Sequence, residues 1–190
     1  MSCPRCQFEN REAEEGASIA REALDDFRAG AAESVASWFD VPFGVALVLS
    51  GRLAAGIRWI ENAIRQAVII GNAGIPATGH MALGEIYLEM VLGDKRLPLR
   101  VLLRNLGFIA KAFPFARRRA RRHLEEAVRR ARDADLPGIL ARSLFDLGVL
   151  GKVSRRFDEA RRCLEEAHTL AEPHSATLTE KIRQALHSVP

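Results

Sequence analysis

Apolar residues recur along the chain with the three-to-four-residue spacing of helices, and runs of β-branched residues that would favour strands are short and few. Three stretches share one arrangement. The first places Phe43-Gly44 ahead of Leu47, Gly51, Leu53, Gly56, Ile60 and Ala63. The second places Leu83-Gly84 ahead of Tyr87 and, much later, Ala120, Leu124 and Ala127. The third runs Leu144, Leu147-Gly148, Phe157, Ala160, Leu164 and Ala167. Small residues at fixed intervals among large ones predict pairs of helices that cross at close range, the large side chains filling the holes beside each crossing.

The spacing is regular once one insertion is recognised. Gly44 and Gly84 are 40 residues apart, Gly84 and Gly148 are 64 apart, and the excess is 24. The excess falls between the helices of the second pair, because Ala120 lies 36 residues beyond Gly84 whereas Ala160 lies 12 beyond Gly148. A large residue, Leu-Gly, an aromatic, then Ala, a large residue and Ala resembles the tetratricopeptide repeat. That resemblance implies an all-α fold, a TPR-like α-α superhelix of stacked antiparallel helix pairs with an inserted amphipathic helix. The expected organisation is a stub at 1–11, one or more N-terminal helices at 12–38, and an array over 39–190. Within the array, repeats are expected at 39–73, 77–135 (insertion at about 94–117) and 139–172, with a capping helix at 175–188. Gly71, Asn72, Gly74 and Pro76 punctuate the first unit, Pro137-Gly138 is read as closing the second, and Pro173 stops the third. Thr177-x-x-Glu180 reads as a capping box for the last helix, which places Leu178, Ile182, Ala185 and Leu186 on one face.

The insertion contains a helix bounded by Pro98 and Pro114. Leu99, Leu102, Leu103, Leu106, Ile109, Ala110 and Phe113 form its apolar stripe, opposite Arg100, Arg104, Asn105 and Lys111. The first reading is that this stripe packs onto the array and the cations are solvated. The alternatives are a docking surface for an acidic protein or attachment to an anionic membrane surface. Charge sharpens the question. Residues 95–123 hold 10 basic and no acidic side chains, residues 1–94 hold 7 and 13, and residues 124–190 hold 11 of each. Beyond Phe113 and Phe115 no aromatics are interleaved with the arginines, which argues against nucleic acid.

Hydrophobic residues make up 48% of the 190, enough for a packed core. The longest apolar stretch, 41–49, is far too short to span a bilayer, and the first residues lack the apolar region of a secretory signal. Cys3, Cys6 and Cys163 do not form a disulfide framework, so a cytoplasmic location is expected. Cys3-Pro4-Arg5-Cys6 is half of a zinc-knuckle ligand set; Cys3 and Cys6 are the candidate metal ligands, in an incomplete site, because a tetrahedral zinc site needs four.

The opening MSCPRCQFENRE resembles the zinc-ribbon start of multidomain bacterial class III adenylate/guanylate cyclases. The stretches GHMALGEIYLEM, LPLRVLLRNLGFIAKAFPFARRRARRHLEEAV and ARSLFDLGVLGKVSRRFDEARRCLEEA look like the end of the C-terminal tetratricopeptide array of those proteins. Together they cover roughly residues 1–12 and 41–188. The family's second cysteine pair would fall near Ala17 and Ala20, and no G-x-x-x-x-G-K-[ST] phosphate loop occurs. The expectation is therefore a non-catalytic protein-interaction module without a cofactor; the alternative is a regulatory fragment of such a cyclase in cyclic-nucleotide signalling. Its partner is expected to be a protein or peptide, with homo-oligomers as a further option. Trp38, His80, Glu85 and Tyr87 are the candidate groove residues, and Arg100, Arg104, Arg118, Arg119 and Arg122 the candidate cationic contacts. Of the five histidines, His80 is assigned to core packing, and none stands at a helix-face spacing that suggests a nucleophile–base pair.

Overall fold

A computed structural model describes residues 18, 21, 33–93, 99–173 and 175–189. Among them every regular element is helical: α1 (Glu33–Leu49), α2 (Leu53–Ile69), α3 (Gly74–Leu92), α4 (Leu99–Ala112), a 3₁₀ turn (Phe113–Phe115), α5 (Ala116–Asp133), α6 (Pro137–Val153), α7 (Phe157–Ala171) and α8 (Ala176–His187). No described helix is long and apolar enough to cross a membrane. The chain divides into two compact units, one holding residues 1–75 and 95–112, the other 76–94 and 113–190.

In the first unit α1 and α2 pack antiparallel. A Cβ at Gly44 would collide with Ile60, and one at Gly56 would meet Val48 Cγ2 at 2.6 Å, so the two backbones cross in near contact. Trp59 closes the pair: its ring meets Phe43 edge-on at 4.6 Å and its Nε1–H donates to Asp40 Oδ1 at 3.1 Å. α1 runs uninterrupted through position 39, where the array was expected to begin, and carries Pro42 inside it.

The second unit repeats this crossing twice. A Cβ on Gly84 would lie 2.5 Å from Leu124 Cδ2, and one on Gly148 would lie 2.6 Å from Leu164 Cγ. The large residue facing each glycine stands 16 positions on in the pairs Gly44–Ile60 and Gly148–Leu164, and 40 positions on in Gly84–Leu124, a difference of 24. Ala116, Ala120, Ala127 and Ala131 of α5, and Ala160, Ala167 and Ala171 of α7, are buried beside these contacts. Two ion pairs tie α5 to α7, Arg121 to Glu159 and Arg132 to Glu166 at 2.5 Å. Their matching order along both helices means that α5 and α7 run in the same direction.

The turns recur too. Gly51 (φ 80°) and Arg155 (φ 57°) each stand seven residues after the crossing glycine. Behind them the Arg52 N–H reaches the Leu47 carbonyl at 2.8 Å, and the Arg156 N–H the Gly151 carbonyl at 2.9 Å. This left-handed closure satisfies carbonyls at a helix end. Gly71 (φ 72°) and Asp135 (φ 51°) make the corresponding turn after α2 and α5.

Three local expectations are corrected. Pro137 opens α6 instead of closing the preceding pair, because its fixed φ and missing N–H suit a first helical position. The cap of α8 is Ser175, not Thr177: Ser175 Oγ accepts the Leu178 N–H at 3.3 Å, while Glu180 turns outward to Arg183 at 2.5 Å. Thr177 lies inside the first turn, where its hydroxyl cannot serve as the cap. The third correction concerns α4. Its Leu103 and Leu106 are 63% and 55% exposed, while Asn105, assigned to the solvated side, is buried and donates from Nδ2 to the Gly51 carbonyl at 2.7 Å. The helix rests against α2, and the apolar stripe of Leu103, Leu106 and Ala110 faces outward.

Candidate functional site

The second unit gathers chemically interesting side chains in two places. The first lies where α3 crosses α5. Alanines at 116, 120, 127 and 131 let α5 approach α3 closely, and this carries His123, from within the arginine run, into the packed layer at 5% exposure. His80 Nδ1 and His123 Nδ1 stand 3.0 Å apart, one imidazole donating and the other accepting. The Tyr87 ring stacks on His123 at 5.8 Å, and Arg119 Nη1 donates to the Tyr87 hydroxyl at 3.1 Å.

Both imidazoles are held neutral. Burial pushes His80 down to about 4, opposed by Glu126 and helped by Arg130, Arg122 and Arg129. Burial also takes His123 down to about 4, aided by His80, Arg122 and Arg119. Glu126 is itself held at about 2, first by its hydrogen bond from Arg129 and then against the cost of burial by Arg130. The two neutral rings share a single N–H···N hydrogen bond between their Nδ1 atoms and so bridge two helices, while Arg122 Nη2 reaches His123 Nε2 at 3.4 Å.

The second place joins α3 to α6. Arg142 Nε donates to Glu85 Oε1 at 2.8 Å and stands 3.4 Å from Asp146 Oδ2, close enough for ion pairing but not aligned as a hydrogen bond. Asp146 is 4% exposed, and burial raises its carboxyl far above the usual range, with Arg142 opposing and Glu85 adding to the rise. Glu85 and Arg142 remain partly open to solvent, at 33% and 39% of their side chains. The cluster thus presents a paired acid and base at the surface over a buried carboxyl.

Set against the sequence, this arrangement changes several assignments. Tyr87 does not line a groove: at 1% exposure it is among the most buried large side chains, because its ring fills the layer between α3 and α5. Arg119 is spent on that tyrosine, over whose ring its guanidinium also sits at 5.5 Å. His80 is half-buried and faces His123. Glu85 is at the surface but paired with Arg142, whereas Arg118 and Arg122 are exposed. Trp38, Arg100 and Arg104 lie on described helices, but their side chains fall outside the described residues, as do Cys3 and Cys6 altogether. Among the described residues no group of three or more His, Cys, Asp or Glu is placed to hold a metal ion.

The sequence reading missed His123, Arg142 and Asp146. Asp146 had left a signal, a lone acid inside the apolar run Leu144-Phe145-Asp146-Leu147. His80 and His123 had left none, being 43 residues apart.

The fold and its sites define an all-helical protein of glycine-notched helix pairs whose polar clusters bridge helices. No family model matches the chain, and no curated protein or solved structure matches it.

Proposed function

We propose that the chain is a non-catalytic binding module, a tetratricopeptide-like array whose helix pairs hold a protein or peptide partner. The observation that carries this reading is the recurrence of one crossing. Gly44, Gly84 and Gly148 each meet a large residue of the following helix, in one register apart from the 24-residue excess of the second pair. Repeats of this kind stack through nearest neighbours, and within the second unit the first helices of its two pairs, α3 and α6, would offer a surface to a helix or an extended peptide. The Glu85–Arg142 pair bridges the first helices of two successive pairs, so it stands on that surface. A partner bearing complementary charges would exchange this pair for intermolecular ones.

The test uses the full chain as cross-linking bait in its native cell, followed by calorimetry with the purified partner. Arg142→Gln is expected to weaken binding about ten-fold, or about 1.4 kcal/mol, with circular dichroism unchanged. Turnover of ATP or GTP to a cyclic nucleotide by the purified chain would sink the non-catalytic reading.

A further inference from the structure

We propose that the outward ridge of α4 seats the protein on the surface of an anionic lipid bilayer. The carrying observation is the orientation of this helix. Leu103, Leu106 and Ala110 recur at i, i+3 and i+7 and are all exposed, Leu103 at 63% and Leu106 at 55%. Gly107 continues the strip, and Lys111 borders it, also exposed. In the helical register positions 100, 104 and 111 fall along one flank of the strip, all three basic, and residues 95–112 hold five Lys or Arg and no Asp or Glu. The opposite side is fixed by the Asn105 hydrogen bond to the Gly51 carbonyl and by buried Ala112, so the helix cannot roll to hide its leucines without breaking that bond.

An apolar ridge with a cationic flank matches a membrane interface, where headgroups offer negative charge and the hydrocarbon beneath takes the leucines. A protein partner would need an acidic surface with an apolar furrow in register, whereas a bilayer supplies both in any register. The helix has 14 residues and is not apolar enough to cross, so it lies in the interface plane.

The test is co-sedimentation of the full chain with vesicles of phosphatidylcholine containing phosphatidylglycerol. The chain should pellet with these and stay in solution with phosphatidylcholine alone. The bound fraction should fall about ten-fold as NaCl rises from about 0.05 to about 0.5 M. Leu103→Glu with Leu106→Glu should reduce pelleting to the lipid-free level while helix content holds. Should that double variant lose helix content, Lys111→Glu, at an exposed position, serves in its place and should weaken binding several-fold. Equal pelleting with neutral vesicles, no pelleting with anionic ones, or unchanged binding by the variants overturns the proposal. A concentration-dependent dimer abolished by the leucine substitutions, without vesicle binding, would also overturn it and give the ridge to a second copy of the chain.

Discussion

Helices α4 and α5 follow one another in the chain and look alike on paper, each an amphipathic, arginine-bearing segment with a well-separated apolar stripe. They end in opposite situations. In α5 the stripe is buried, with Ala120, Leu124 and Ala127 at 0% exposure, and many of the arginines on the other side are paired: Arg121 with Glu125 and Glu159, Arg129 and Arg130 with Glu126, Arg132 with Glu166. In α4 Leu103 and Leu106 are exposed, while the carboxamide of Asn105 is buried. The difference lies in the size of the inward residues. Alternating alanines let α5 nest against a glycine of α3, gaining dispersion contacts at every turn. α4 offers no such row, and what fixes its orientation is a hydrogen bond to the carbonyl of the turn after α1. Amphipathic spacing says that a helix has two faces; the small residues say which one can be packed.

The comparison is broken most severely at Leu124. It is fully buried beneath Gly84, and Leu124→Ala should cost about 2–5 kcal/mol in urea unfolding, through lost burial and the cavity left behind. Gly84→Val probes the same crossing from the other side. Its branched side chain meets Leu124 Cδ2, and the backbone nitrogen of Leu124 stands only 3.3 Å from the new Cβ, so the helices must separate; about 1–3 kcal/mol should be lost. An unchanged melting temperature would mean that α3 and α5 do not cross there.

Acid should loosen the same pair of helices. His80 and His123 sit near 4, below the ordinary histidine value of 6.5, so between those limits the unfolded chain binds more protons than the fold. Their contribution is present above about 6.5 and lost as pH falls toward 4. Asp146 acts with the opposite sign: its raised carboxyl stabilises the protonated fold, and that contribution is lost as pH rises. Net stability therefore mixes the two, and the readout is the difference from variants. Against wild type, His123→Gln should flatten the acid-side loss, and Asp146→Asn should remove the loss that builds as pH rises from about 3.8 to about 8. Melting temperatures measured across the range check both.

For α4 the sharpest probe is Asn105→Ala, which removes the donor to the Gly51 carbonyl and should cost about 1–2 kcal/mol, with faster proteolysis within α4. This contact also marks the limit of what the sequence could say. Gly44, Gly84, Gly148 and the alanines around Leu124 and Leu164 were readable because close packing leaves a local signature of small beside large. The insertion was readable as a phase jump of 24 residues. The inward side of α4 was not, since it depends on one carbonyl 54 residues away. The burial of Tyr87 and the meeting of His80 with His123 were hidden likewise, because partners across 32 and 43 residues leave no periodicity.

The smallest expected effect is the most discriminating. Leu106→Ala is the same chemical change as Leu124→Ala, made on the neighbouring helix, yet Leu106 is 55% exposed and Leu124 is not exposed at all. A solvent-facing leucine loses little burial when truncated, and alanine is the better helix former, so stability should move by no more than about 0.5 kcal/mol in either direction. If Leu106→Ala instead costs more than about 2 kcal/mol, on the scale of a core truncation, the ridge is covered in solution. The contrast between the two helices would then come from an absent neighbour and not from the size of their side chains. A near-zero result leaves the ridge free for whatever surface it meets, and makes any loss of vesicle binding by leucine variants a statement about that surface alone.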